Sequence, residues 1–502
     1  MTTSTAEPHL TSGTAPDYNI GEIWKFARMS LIWLCIIFGA VWMVSYLVGG
    51  VIPALIDHAA PGNVVAHNIA GAIRLITPLV AVMVFIPINA TYMVLAERRG
   101  LALLTVRKGP NRVGPDGFLQ TAADAVKLLF KENIDPEGSD MIMFTLAPII
   151  FFAPSVFGAL PLLSAVTQPQ DLFEITKVPT GIFYVLAMSS IPVVGIVMGG
   201  WASNNKYSLV GGLRSAAQAI SYEIPLVLAV ITICLLVGTL NVTDIAWLQN
   251  PSELAKATAG SAELARWDAV RGTSHLAPYL HTVGVNNLGN WGFLNWNIFG
   301  GDSVTGLLSL AAAGQVKGGV LVVKLILAAV LVLCSWLLCG LYMTGACAEI
   351  NRIPFDLPEA ESELVSGYNT EYSGIRFAIF FLAEFTNLFI VSTIAVVMWF
   401  GGGASPLPAD WYAPVLSALG AVCTGVNGVL HSAGLPNILN PMVLSGAIWV
   451  ILKTYLLIYF AILVRGTLPR FRIDQLMDFG WKRLIPLSLI LLLAVTFLKE
   501  LI

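Results

Sequence analysis

Nine stretches of this chain are continuously apolar: 29–49, 72–96, 141–165, 181–201, 223–241, 318–346, 376–400, 441–465 and 483–499. Each is long enough to cross roughly 30 Å of hydrocarbon as a helix. The runs do not alternate apolar with polar positions, so a strand barrel is excluded. The pattern predicts an all-α polytopic membrane protein with about nine transmembrane helices. No small-residue cleavage site follows the first run, which therefore reads as a span and not a signal peptide. The polar intervals divide the chain into an N-terminal extension (1–70) and a first part of the core (71–241) with a loop at 97–140. An insertion (242–317) follows, then core helices (318–400) with an acidic loop at 347–375. A second insertion (401–440) and C-terminal core helices (441–502) complete it.

Charge sharpens this picture. Only 11% of residues are charged, against about 25% in soluble domains, which excludes a soluble enzyme or a nucleic-acid binder. With the N-terminus inside, the inner segments and their junctions hold 17 of the 27 Lys and Arg residues, and the outer segments hold five. The asymmetry predicts N-in and C-out, with 97–140 and 347–375 cytoplasmic and 242–317 outside. The six cysteines show no CxxC spacing and the six histidines lie outside the apolar runs. No redox centre or metal is therefore expected on this chain. No nucleotide-binding glycine motif follows a strand-like run.

The inner loops carry most of the candidate chemistry. After Glu97, Arg98 and Arg99, a Gly- and Pro-punctuated basic turn leads into 118–132. There Phe118, Leu119, Ala122, Val126, Leu129 and Phe130 recur at three-to-four spacing, the pattern of an amphipathic helix at the membrane surface. In a second loop, 201–223, Arg214 and Glu223 border the fifth span, and the segment reads either as an interfacial loop with snorkelling ends or as part of a site. The third gathers Glu349, Asp356, Glu359, Glu361, Glu363 and Glu371 around a single Arg352. Helix capping after Pro358 accounts for some of these acids but does not require so many.

Two charges lie inside spans, Glu384 and Lys453. A charge at that depth costs at least about 2.5–3.5 kcal/mol, so it normally faces a polar interior or a pathway. With Glu349 and Glu223 at inner ends and the 356–363 cluster in the loop, these groups suggest a file. Carboxylates sharing a low-dielectric path titrate as a coupled set. That is the chemistry of a proton relay, not of bond making.

Four stretches carry a resemblance: AERRGLALLTVRKGPNRVGPDGFLQTAADAVKLLFKE, GWASNNKYSLVGGLRSAAQAISYE, EINRIPFDLPEAESELVSGYNTEYSGIRFAIFFLAEF and RGTLPRFRIDQLMDFGWK. They resemble the signature segments of the H-subunit family of proton-pumping NADH-quinone oxidoreductases, respiratory complex I. The resemblance covers roughly 70–241, 320–400 and 441–500. It implies an eight-helix core, here spans two to nine, in a bacterial inner membrane. It also implies a quinone chamber roofed by two hydrophilic partner subunits, one carrying the terminal iron–sulfur cluster, with small membrane subunits alongside. Quinone would be the substrate, with FMN and iron–sulfur clusters on partners and no cofactor on this chain. The quinone tail would pass span two, the 118–132 helix and span seven.

Carried over motif by motif, Glu97, Arg98, Arg214, Arg352 and Asp356 match the quinone channel. Glu223, Glu349, Asp356, Glu359, Glu361, Glu384 and Lys453 match the proton path. The chain departs from the pattern in its extra N-terminal span and its long 242–317 and 401–440 segments. It also has Phe385 where the family often has tyrosine. Because 242–317 lies opposite the charged loops, it is expected to be dispensable for electron transfer. The alternatives are a related membrane subunit of an energy-converting hydrogenase or a ferredoxin- or F420-linked dehydrogenase, and a free-standing transporter. The transporter would show pseudo-symmetric halves with broken helices, which the sequence lacks.

Overall fold

A computed structural model describes residues 64–105, 107, 109–114, 117–166, 180–249, 296–312, 318–357, 367–407, 409–432 and 441–502, with scattered positions between 27 and 56. The described residues are helical, without strands. In chain order the helices are α1 (Val64–Leu104), α2 (Gln120–Phe130), α3 (Met141–Val166), α4 (Gly181–Ser190), α5 (Pro192–Ala202), α6 (Lys206–Val237) and α7 (Val242–Leu248). They continue as α8 (Gly301–Ala312), α9 (Gly319–Glu349), α10 (Gly374–Trp399), α11 (Ala409–Ser432), α12 (Pro441–Thr467), α13 (Ile473–Phe479) and α14 (Ile485–Leu501). Among the described residues, eight segments are long and apolar enough to span a membrane, and they correspond to expected spans two to nine. Part of the expected first span lies outside the described residues. Of it, Met29, Trp33 and Ile37 are buried, and Trp33 stacks on Phe118 with centroids 4.4 Å apart. The second insertion contains α11, a 24-residue helix packed against α12.

The spans differ from the apolar runs at their ends, for physical reasons. Helix α6 begins at Lys206, well before the apolar run at 223, and carries Ser208, Ser215, Gln218 and Ser221 into the interior. Small side chains permit this. A Cβ on Gly211 would lie 2.8 Å from the Gly367 Cα, and one on Gly195 2.8 Å from the Phe151 backbone nitrogen. The 181–202 span is broken instead of continuous. Pro192 opens α5, and with no N–H it leaves the Met188 carbonyl without its i+4 donor. The last span starts at Ile473 and passes through a π-helical turn at Gly480–Leu484. Beside that turn the Tyr222 hydroxyl donates to the Leu476 carbonyl at 2.9 Å.

Helix α10 runs through the middle of the bundle. It packs against α1, α2, α3, α9 and α12, and 72% of its most apolar stretch is buried, against 22% for α9. The amphipathic pattern at 118–132 is realised in α2. Its Val126, Leu129 and Phe130 are exposed, so its apolar stripe faces away from this chain.

The ends of the spans define two faces. The segments after α1, between α5 and α6, between α9 and α10 and between α12 and α13 meet at one, the charged face. There Asn205 donates to Glu371 at 2.7 Å, the Ile134 amide donates to the Ser373 hydroxyl at 2.8 Å, and the Phe471 amide donates to the Pro354 carbonyl at 3.0 Å.

Candidate functional site

At the charged face, α1 delivers Glu97 into a nearly buried position. The carboxylate accepts from Arg352 at 3.0 Å and from Arg465 at the end of α12. Burying this carboxylate is tolerable because both of its oxygens meet a guanidinium. The Arg352 guanidinium also lies 4.4 Å over the Phe385 ring, so that ring holds a cation on its face. Asp356 is buried and accepts from Arg470 at 2.9 Å. Burial pushes its carboxyl above the usual aspartate range, although Arg470, Arg465 and Arg352 pull the other way. Arg98 pairs with Asp124 at 2.6 Å, pinning α2 to α1, and both side chains are partly exposed. Arg214 sits half-buried on α6.

Behind this face the spans enclose a cavity of about 50 Å³, room for a few water molecules. Its wall includes Glu349 from the end of α9, Glu384 and Asn387 from α10, Ser189 from α4, Asn351 and Tyr342. Glu384 accepts from the Tyr368 hydroxyl at 2.8 Å. Glu349 shares that wall with Ser189, whose hydroxyl donates to the Leu186 carbonyl at 2.9 Å. Glu223 is half-buried on α6. Two carboxylates from two helices thus share one cavity beside the α4–α5 break, with Glu223 of α6 near Glu349.

Gln218 ties the cavity to the charged loop. Its amide donates to the carbonyls of Ala348 and Phe355 at 2.7 Å each, and to the Asn351 side chain at 3.1 Å. One side chain therefore fixes the residue before Glu349 and the residue before Asp356. Sequence reasoning missed Gln218, Tyr368, Asn387 and Ser189. Gln218 had a signal, a polar residue in a small-residue segment that turns out to be helical. Tyr368 had none, since its bond to Glu384 depends on how the 367–369 turn folds back on α10.

Glu359 and Glu361 lie outside the described residues. Lys453 is held apart from the acids. Its ammonium donates to the carbonyls of Phe400, Gly402 and Ala404 at 2.7, 2.9 and 2.6 Å, and it lies 4.2 Å over the Trp296 ring. Those carbonyls are at the far end of α10, ~24 Å of helix from Glu384 at 1.5 Å per residue. All three ammonium protons are committed. The same end buries Gln249, which donates to the Val397 carbonyl and accepts from the Asn297 and Gly401 amides. The borders of the 242–317 insertion are therefore part of the core, and only an excision inside 250–295 leaves these bonds in place.

The fold and site define a class: a polytopic, all-α membrane protein with buried carboxylates gathered toward one face. The chain matches the NADH dehydrogenase family over residues 77–267 and 303–496. It is 36% identical over 407 residues to the H subunit of the NADH-quinone oxidoreductase of Brevibacillus brevis, an alignment spanning 81% of this chain and 88% of that relative. The chain belongs to the NADH dehydrogenase family.

Proposed function

We propose that the chain is the membrane subunit of a proton-translocating NADH-quinone oxidoreductase that forms the quinone channel and the acidic path coupling quinone reduction to pumping. In this reading Glu97, Arg98, Arg214, Arg352 and Asp356 line the channel mouth. Glu223, Glu349, Asp356, Glu359, Glu361 and Glu384 form the path. The path runs without Lys453, whose protons are held by carbonyls at the other face. Quinone is the substrate. FMN and iron–sulfur clusters belong to partner subunits, two of them hydrophilic and roofing the chamber, and this chain holds no redox centre. The complex sits in a bacterial inner membrane with the charged face toward the cytoplasm.

The observation that carries the reading is the cavity shared by Glu349 and Glu384, with Glu223 alongside. The similarity to the Brevibacillus protein supports the assembly, and the basic-residue asymmetry supports the orientation. Within a coupled mechanism, removing one titrating group slows the whole cycle. Glu349→Gln and Glu384→Gln keep volume and hydrogen bonding but lose the proton. In proteoliposomes holding the assembled complex, each change should lower quinone reduction and pumping together, by at least about tenfold. Glu→Asp should be milder. Wild-type rates and pumping in both Gln variants would make these acids structural.

A further inference from the structure

The segment from Glu349 to Asp356 belongs to both halves of the site. Its first residues, Glu349, Ile350 and Asn351, form part of the cavity wall. Its later residues are anchored at the charged face, where Arg352 pairs with Glu97 and Asp356 with Arg470. The cavity half is fastened differently, by neutral side chains of α6. Ser215 and Gln218 stand three residues apart on that helix and so share a face. The Gln218 amide donates to the Ala348 and Phe355 carbonyls at 2.7 Å each and to the Asn351 side-chain oxygen at 3.1 Å. The Asn351 side-chain amide donates in turn to the Ser215 hydroxyl at 3.1 Å. All three partners of Gln218 accept, so its NH2 end faces the segment. Gln218 is 1% exposed, which leaves no room for bulk water to substitute for it.

We infer that Gln218 is a positioning residue of the acidic path, a strut that makes the end of α9 carrying Glu349 move together with the loop carrying Arg352 and Asp356. The inference rests on the proton-path reading above and adds to it a residue that neither titrates nor pairs with a charge. Energetic coupling between sites passes through packed, hydrogen-bonded elements, and the three bonds of this one amide join the two ends of the segment directly. Loss of the strut acts on one end only. The ion pairs of Arg352 and Asp356 do not involve Gln218, so the charged face stays in place. Neither carbonyl is stranded. That of Ala348 also accepts from the Asn351 amide at 3.2 Å, and that of Phe355 from the Leu357 amide at 3.0 Å. What slackens is the cavity wall at Glu349. Glu384, on another wall, is held independently by Tyr368. The placement of one acid against the other therefore depends on Gln218, while the groups at the channel mouth do not.

The test is the number of protons pumped per quinone reduced by the assembled complex in proteoliposomes, with assembly checked on native gels. Gln218→Met keeps the shape and removes both donors. It should lower protons per quinone at least about twofold while quinone reduction persists. A merely structural role would lower yield or rate and leave that ratio alone. Gln218→His places a ring Nε2–H the same number of bonds from the backbone, keeps one donor and should recover part of the ratio. If Gln218→Met does not assemble, Asn351→Gly carries the test. It accepts the left-handed backbone of Asn351, φ +51°, and removes the link to Ser215, so a smaller loss in the same direction is expected. Glu349→Gln is measured alongside. An assembled strut variant with the wild-type ratio, beside a slowed Glu349→Gln complex, would overturn the strut and leave the path intact. Wild-type rates and ratios in all of them would overturn both.

Discussion

Glu97 and Lys453 are both charged side chains carried into the bundle, and the two faces of the protein accommodate them differently. At the charged face a carboxylate is matched by two guanidiniums, from the loop after α9 and from the end of α12. At the opposite face an ammonium meets no carboxylate in its hydrogen bonds. It caps three carbonyls where α10 ends and rests on an indole. An ion pair leaves an uncompensated charge when one partner is lost, whereas a carbonyl cap leaves only neutral dipoles. The same contrast separates roles. The charged face holds groups paired with opposite charges, and the opposite face holds a cation whose donors are all occupied.

The comparison is easiest to break at Glu97. Glu97→Gln strands Arg352 and Arg465 beside a neutral amide and should cost about 3–5 kcal/mol, read as reduced thermal stability or lost assembly of the purified complex. A small effect would mean that water already screens the knot. Lys453→Met should cost less, about 1.5–3 kcal/mol, the scale of hydrogen bonds to a charged group. Its signature is lower stability with pumping per quinone reduced unchanged. Lost pumping in a variant of wild-type stability would return Lys453 to the proton path.

The smallest effect is expected at Asp356. Burial raises its proton affinity in the folded state, so it is harder to ionise folded than unfolded. Its contribution to stability therefore falls as pH rises from the ordinary aspartate value, about 3.9, through its own higher one. Melting temperatures of wild type and Asp356→Asn, taken across pH 4 to 7, should show the wild type losing ground to the variant as pH rises. The opposite slope would mean that pairing with Arg470 outweighs burial.

Apolar length marked eight of the spans because lipid tolerates only a helix that satisfies its own backbone. The positions of Glu349, Glu384 and Asp356 were legible for the same reason, since ionisable groups in or beside such runs stand out against them. The 201–223 segment was not legible as helix. Its Ser, Gly and Gln residues look like loop until α5 and the 367–369 turn come close enough to need small side chains there.

That the chain crosses a membrane, roughly where eight of its spans run and which acids are chemically suspicious could all be read from the residues alone, because each follows from local polarity along the chain. Which of those charges meet was settled by the packing of the helices. Glu97 finds partners 255 and 368 positions away, Glu349 and Glu384 come to share a cavity, and Lys453 turns from them to the end of α10. Partner choice over such separations is set by how helices pack, and hydropathy carries no record of it.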